Sequence, residues 1–384
     1  MSASFWEQDA MQDADCIVIG AGLIGLLTAL EWRDAHPDDT IMVLERGLLP
    51  NGASSRNAGF ACFGSLTELL SDIDAVGTQA TAELVAQRWR GLARLRARVG
   101  DAAMAFENLG GYELLSESQL PALAHLAAVN DLLQPLFGAD VFELDGPGLA
   151  SRGFGSQIHA LVKNRFESQI HSGKLMRTLA KQAAIAGIEI HTGATVEAID
   201  DGAEMVELRV GASRLASESS QPNGPSLRFR APRVAICTNG LTTALLPASG
   251  ITPARGQIIV TEPIADLQWS GCHHFDEGFY FFRNVGNRVL LGGARNCDFD
   301  GERSTDLITT DLIQGTLQTL LEQVILPGRN VRIEHRWAGL MGFTTDKQPV
   351  VQRVSPNVVL GFGCNGMGVA LGADIAARTA ALLA

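Results

Sequence analysis

The order of apolar and polar positions changes period several times along the chain, and each change marks an element. Residues 15–19 form a short apolar run, 23–32 carry apolar side chains at three- and four-residue spacing, and 40–44 are apolar again, with HPDD as the turn before the last run. Short apolar runs suit strands and a periodic stretch suits a helix, so the spacing predicts one strand–helix–strand unit at the start of the chain. Helical spacing returns from about 66 to 99 and again from about 117 to 137, with GGYELL between them reading as a strand. Further on, a helix over 173–186 feeds strands at 188–191 and 195–199, and RVAICTNG reads as an apolar strand running into a glycine turn.

Strands dominate from Gly256 to Arg295, in GQIIVTEPI, FYFFRNVG and RVLLGGAR, followed by a predicted helix over 305–324. The polar run ASESSQPNGPS separates two charged strand segments, which makes 204–230 a hairpin with a loose tip. The last segment, NVVLGFGCNGMGVALGADIAARTAALL, reads as strand, glycine-rich turn and helix. Strand–helix alternation at both ends and in the middle, separated by β-rich or helical stretches, implies an α/β fold of two interleaved domains. The first domain takes 14–80, 166–203, 231–250 and 335–384, and the second takes 81–165 and 251–334. Residues 204–230 form a hairpin excursion and 1–13 an N-terminal extension.

A chain of 384 residues with 46 % hydrophobic content can bury a large core. Its formal charge of −12 leaves no basic face to track phosphates, so nucleic acid is not an expected partner, and the cluster RGLARLRAR reads as a solvated helix face. The acidic start MSASFWEQDAMQDAD lacks the basic character of a signal peptide, and glycines break the first apolar run, which predicts no transmembrane segment and a cytoplasmic protein. The cysteines at 16, 62, 237, 272, 297 and 364 form no C-x-x-C pair, which suits free thiols in a reducing compartment. The run CHH at 272–274 has no second ligand cluster in sequence, so no metal is expected.

Chemistry enters with Gly20, Gly22 and Gly25, spaced G-x-G-x-x-G between the first strand and its helix. Gly20 permits a tight turn, Gly22 lets a pyrophosphate approach the backbone, and Gly25 lets helix and strand pack closely. The helix N-terminus supplies N–H groups and partial positive charge to the phosphates. Glu45, at the end of the next strand, can accept from ribose hydroxyls and would repel a 2′-phosphate, which leaves NAD or FAD.

At this point the sequence resembles the D-amino-acid oxidase-like family of FAD-dependent oxidoreductases, the group with glycine oxidase, sarcosine oxidase and γ-glutamylputrescine oxidase. The likeness runs through GAGLIG, LER, GASSRNAGF, SGKLMRTLAKQAAIAGIEIHTGATVEAI, CTNG, RGQIIV, YFFR, WAGLMGFTTDKQPVV and GFGCNGMGVALG. It implies a Rossmann-like FAD-binding domain interleaved with a β-rich substrate domain. It also implies that FAD meets Leu23, Ile24 and Arg46 near the glycine loop, and then Ala53, Ser54, Ser55, Arg56, Asn57, Ala58, Gly59 and Phe60. Val196, the turn Thr238–Asn239–Gly240, Gly339, and Gly363, Asn365, Gly366, Met367 and Gly368 complete the implied FAD set. In residue terms, Ser54, Ser55 and Asn57 offer hydrogen bonds, Arg56 offers charge, and a helix starting near Met367 would stabilise negative charge on reduced flavin.

The family implies hydride transfer to the flavin from the carbon of an amine or amino acid, with oxygen or another electron acceptor, a chemistry that rests on orientation. Arg283 is the implied carboxylate-binding residue, against an internal pair with Asp276 or Glu277, and Tyr280 is a second candidate although strand alternation turns it away from Arg283. Two departures from the sarcosine-oxidase pattern stand out: Leu290 replaces a lysine, and Leu340–Met341–Gly342 replaces a flavin-bearing cysteine. Non-covalent FAD is therefore expected. A dehydrogenase subunit that passes electrons to a quinone or protein, and a non-catalytic FAD-binding assembly protein, remain open alternatives.

Overall fold

The computed structural model describes residues 4–212 and 226–384. Its first sheet has six strands in the order Val350–Ser355, Val358–Phe362, Arg233–Ile236, Cys16–Ile19, Ile41–Glu45 and Glu189–Thr192. All neighbours run parallel except Val350–Ser355, which is antiparallel to Val358–Phe362. Strands buried on both faces read as unbroken apolar runs, and here alternation sends the two halves of each run to different cores. Cys16, Val18, Ile41 and Val43 pack under the helix Leu23–Ala35 and the C-terminal helix Gly368–Leu383. Ile17, Ile19, Met42 and Leu44 pack against Val206, Leu208, Val210 and Phe229 of a three-stranded antiparallel layer.

That layer contains Ala194–Asp201, Val206–Ala212 and Ser226–Ala231, so the arms of the expected hairpin pair as read, while part of its tip, 213–225, lies outside the described residues. The helix Thr78–Val99 lies against the C-terminal helix, where a Cβ on Gly91 would stand 2.1 Å from the Ala370 carbonyl oxygen. Only glycine permits that approach.

The second large sheet has eight strands in the order Ile333–Phe343, Thr252–Thr261, Arg288–Gly293, Tyr280–Val285, Cys272–Phe275, Gly111–Ser116, Ile158–Asn164 and Phe142–Leu144. Leu291, Phe282 and Leu114 face the helix Asp311–Leu320, whereas Ile258 and Leu290 face Ala58 and Phe60 beneath the first domain's loop. Among the described residues, no helix is long and apolar enough to cross a membrane.

Three expected elements need correction. The stretch 66–99 breaks at Gly77, whose φ of 87° ends Leu66–Val76 before Thr78–Val99 begins. The stretch 117–137 starts as tight turns over Glu117–His125, which carry Pro121, and becomes α-helical only at Leu126. The predicted helix at 305 begins at Asp311, because Thr310 exchanges two hydrogen bonds with the Gln257 side chain and fixes an extended approach.

Candidate active site

Glu45 ends its strand 9 % exposed, with both carboxylate oxygens in use. Oε2 accepts from the Ala21 N–H at 2.9 Å and Oε1 from the Gly47 N–H at 2.7 Å. The carboxylate thus fixes the glycine loop as well as offering its remaining lone pairs. Gly20 has φ 102°, and a Cβ there would meet the Cys237 carbonyl at 2.8 Å. A Cβ on Gly25 would stand 1.8 Å from the Gly20 carbonyl, so this glycine serves helix–strand packing and lies outside the cavity lining. At the helix start, Ser54 Oγ accepts from the Leu23 N–H at 2.8 Å, which ties the 53–60 loop to the dipole end.

These groups open on one cavity of about 610 Å³. Of the residues expected from sequence, Gly20, Gly22, Leu23, Ile24, Glu45 and Arg46 line it, as do Ala53, Ser54, Arg56, Asn57, Ala58, Gly59 and Phe60. Val196, Thr238, Asn239, Gly339, Asn365, Gly366, Met367 and Gly368 complete the coincidence. The cavity also suits a dinucleotide. The Asn239 amide donates to the Leu340 carbonyl at 3.0 Å while its buried Oδ1 has no partner, so an acceptor faces a ligand's donor. Its volume falls in the ordinary range for ligand pockets.

Several polar side chains are used differently from expectation. Ser55 is exposed, and its hydroxyl donates to the Pro50 carbonyl, away from the cavity. The Asn57 amide donates to the Ala53 and Ser54 carbonyls while its Oδ1 accepts from Gly59 N–H and the Ser172 hydroxyl, so it shapes the loop. Arg56 donates to the Ala338 carbonyl at 2.8 Å, and Asn365 Oδ1 accepts from the Thr344 N–H at 2.7 Å. Gly240 and Gly363 also lie outside the lining: a Cβ on the first would meet the Met341 carbonyl at 2.4 Å, and on the second Pro349 Cα at 2.2 Å.

The two expected catalytic residues are placed elsewhere. Arg283 is 7 % exposed behind the loop, donating to the Ile170 carbonyl at 2.9 Å, with its Nε buried and unpartnered. Burial pushes its pKa down, and Asp276 pairs with Asn296 instead of with it. Tyr280 projects from the opposite face of the strand and places its hydroxyl 3.4 Å from Cys297 Sγ. Neither residue lines the cavity. Arg295, Glu68 and His274 do, and of these only His274 stands out in the sequence, within CHH and without a role. A strand-end turn brings in Arg295, a capping box at Ser65 brings in Glu68, and His274 reaches Glu167 across 107 positions.

His273 and His274 alternate across their strand. His273 stacks on Phe282 at 4.6 Å, and burial followed by nearby Arg152 pushes its pKa well below the usual histidine value. His274 Nε2 lies 2.9 Å from Glu167 Oε2. Burial opposes its charge, but Glu167, Glu68 and Glu113 prevail and lift its pKa to about 9. A group whose folded pKa is raised stabilises the fold fully below its unfolded value, near 6.5, and loses that contribution as pH rises to about 9. Stability measured by denaturant melts should therefore decline over that window, and His274→Gln should flatten the decline; an unchanged slope would show that the pair does not titrate there. The possible ligand atoms of Cys62, Glu167 and His274 lie within 4.8 Å of one another, a grouping that CHH did not signal.

The three thiols in the lining, Cys62, Cys237 and Cys364, are held protonated by burial, the last two with their pKa pushed up to about 12. Leu290, where a lysine was the alternative, is buried with Ala58, Ile258 and Val260.

Comparison with known proteins places this cavity in context. The family model described as FAD dependent oxidoreductase matches residues 15–382. The chain is 24 % identical over 379 residues to the probable oxidoreductase OrdL of Haemophilus influenzae, covering 94 % of this chain and 80 % of that protein. The same identity holds over 377 residues with OrdL of Rhizobium meliloti, covering 93 % and 80 %. In three dimensions it is similar to L-proline dehydrogenase from P. horikoshii, with a TM-score of 0.74 at 16 % identity over 97 % of this chain and 93 % of that one. Glycine oxidase from Geobacillus kaustophilus gives 0.71 at 18 % identity, over 97 % and 95 %. At such identities the likeness speaks for the fold.

Proposed function

Because the chain belongs to the family of FAD-dependent oxidoreductases, we propose that it oxidises the C–N bond of an amine or amino acid to the imine, which water then hydrolyses. The observation that carries this reading is the single cavity in which a nucleotide end, built on Glu45 and the Leu23–Ala35 helix, joins an end with Glu68, His274 and Arg295. The solved proteins of similar fold named above include a proline dehydrogenase and a glycine oxidase. FAD, when bound, supplies the two-electron acceptor. Gly20, Gly22, Ser54, Glu45 and Asn239 would hold it, and the N-terminus of the Gly368–Leu383 helix favours negative charge at its far end.

The amine must be neutral to be oxidised. Glu68 lines the cavity, and burial raises its pKa against the pull of His274 and Arg88, so its carboxylate is the base placed to take an ammonium proton. The test is anaerobic titration of the yellow holoenzyme with amines and amino acids. Bleaching supports the reading; a flavin left oxidised by the whole panel but reduced by a hydroxy acid or alcohol would overturn it. Readmitting air then separates an oxidase from a dehydrogenase that needs a quinone or protein acceptor.

Acid precipitation should release the flavin into the supernatant, because Met341 and Gly342 stand where a linking cysteine was the alternative and all three lining thiols are protonated. Flavin retained in the pellet would contradict a non-covalent site.

A further inference from the structure

Arg295 is a lining cation whose guanidinium has no hydrogen-bond or ion-pair partner among the described residues. It follows Gly293 and Ala294, which end their strand with φ values of 119° and 63°. The Ala294 N–H donates to the Phe279 carbonyl at 2.9 Å, which pins this turn to the 277–279 segment. The guanidinium carbon then lies 4.3 Å from the ring centre of Phe343 and 5.0 Å from that of Phe299. Among the described residues no hydrogen bond or ion pair engages it: Glu302, its charge neighbour, is bonded to Arg255 and Gln257. Of the other basic lining groups, Arg46 is exposed, and the rest are engaged: Arg56 by Ala338, Arg88 by Phe63, His274 by Glu167 and Lys347 by Asp72.

A carboxylate flanks the same turn. A Cβ built on Gly278 would stand 3.0 Å from the Glu68 carboxyl group, and the next residue is the Phe279 whose carbonyl holds Ala294. The cavity therefore presents an anion and a clamped planar cation on either side of one turn. A guanidinium fixed by two rings keeps its fork aimed and loses little freedom on pairing with a carboxylate.

We propose that Arg295 is the specificity-determining residue that binds a carboxylate of the substrate, while Glu68 faces its amine, so that the preferred substrate is a zwitterionic amino acid. This rests on the function proposed above. Arg283, sealed against Ile170, is then a positioning residue for the loop at Gly59.

The experiment uses the holoenzyme and two readouts. Propionate and benzoate, titrated without substrate, should perturb the wild-type flavin absorbance; Arg295→Met should weaken that binding about 100-fold and Arg295→Lys about 10-fold. In anaerobic reduction, Arg295→Met should lose a similar factor on an amino acid and almost nothing on its decarboxylated amine. Phe343→Leu, which loosens the clamp but keeps the charge, should give a smaller loss on the same side. Each variant must carry a full complement of flavin. Carboxylates that bind wild type and Arg295→Met equally, or that do not bind wild type, would overturn the assignment. Loss of carboxylate binding in a protein that no amine reduces would uphold Arg295 as an anion site and overturn the amine-oxidising reading alone.

Discussion

Arg255→Met should destabilise the fold by about 3–5 kcal/mol, seen as a lowered denaturation midpoint at unchanged slope. Arg255 and Glu302 are 4 % and 1 % exposed, joined at 2.6 Å between Nη2 and Oε1, with Arg255 Nε also donating to the carboxylate. Gln257 donates to the same oxygen at 2.9 Å. Removing the guanidinium leaves a carboxylate in an interior that one amide cannot neutralise. The double variant Arg255→Met, Glu302→Leu should recover most of the loss, since an apolar pair leaves no buried charge. If the double variant is as unstable as the sum of the single ones, the pair is not coupled and the argument fails. Because Gly256 and Ile258 on the same strand line the cavity, flavin retention should follow stability through the series.

Glu45→Ala should weaken FAD retention by about 100-fold or more, through two losses that add. One is the acceptor proposed for the ribose, a charge-assisted bond of about 1.5–3 kcal/mol. The other is the brace on the apoprotein, because both oxygens hold backbone N–H groups, of Ala21 and Gly47, on either side of the nucleotide end. Glu45→Gln keeps one acceptor oxygen but sets an amide donor against one of those N–H groups, so it should fall between wild type and alanine. The measurement is the dissociation constant of FAD from flavin fluorescence after dilution. Equal and negligible effects of both substitutions would make Glu45 a bystander.

How much of the site was readable can be followed through single residues. The glycines at 20 and 22 and Glu45 were legible because one strand–helix–strand unit sets their spacing within thirty residues, and local sterics leave that turn few conformations. Asn57 and Ser55 were legible as polar loop residues but not in their bonds: whether a side chain serves a ligand or the loop's own backbone depends on where the chain closes, at Ser172 for the one and Pro50 for the other. The pairing of His274 with Glu167 had no signal at all, since a strand and a distant turn meet only when the eight-stranded sheet forms.

Arginine shows the division most sharply. The alternation in FYFFRNVG correctly separated Tyr280 from Arg283, because successive side chains on a strand must point to opposite faces. It gave no means of knowing that the Arg283 face is closed by the Gly59 loop and Ile170, while Arg295, twelve residues on, is turned into the cavity by two positive-φ residues. The sequence by itself therefore determined the α/β class, the nucleotide loop and its acidic partner, which follow from period, glycine sterics and charge over short separations. The tertiary structure alone decided which cation is left without a hydrogen-bonding partner, because that depends on which carboxylates and carbonyls the folded chain brings within reach: it brings Glu302 to Arg255 and Asp72 to Lys347, and among the described residues it brings none into bonding contact with Arg295.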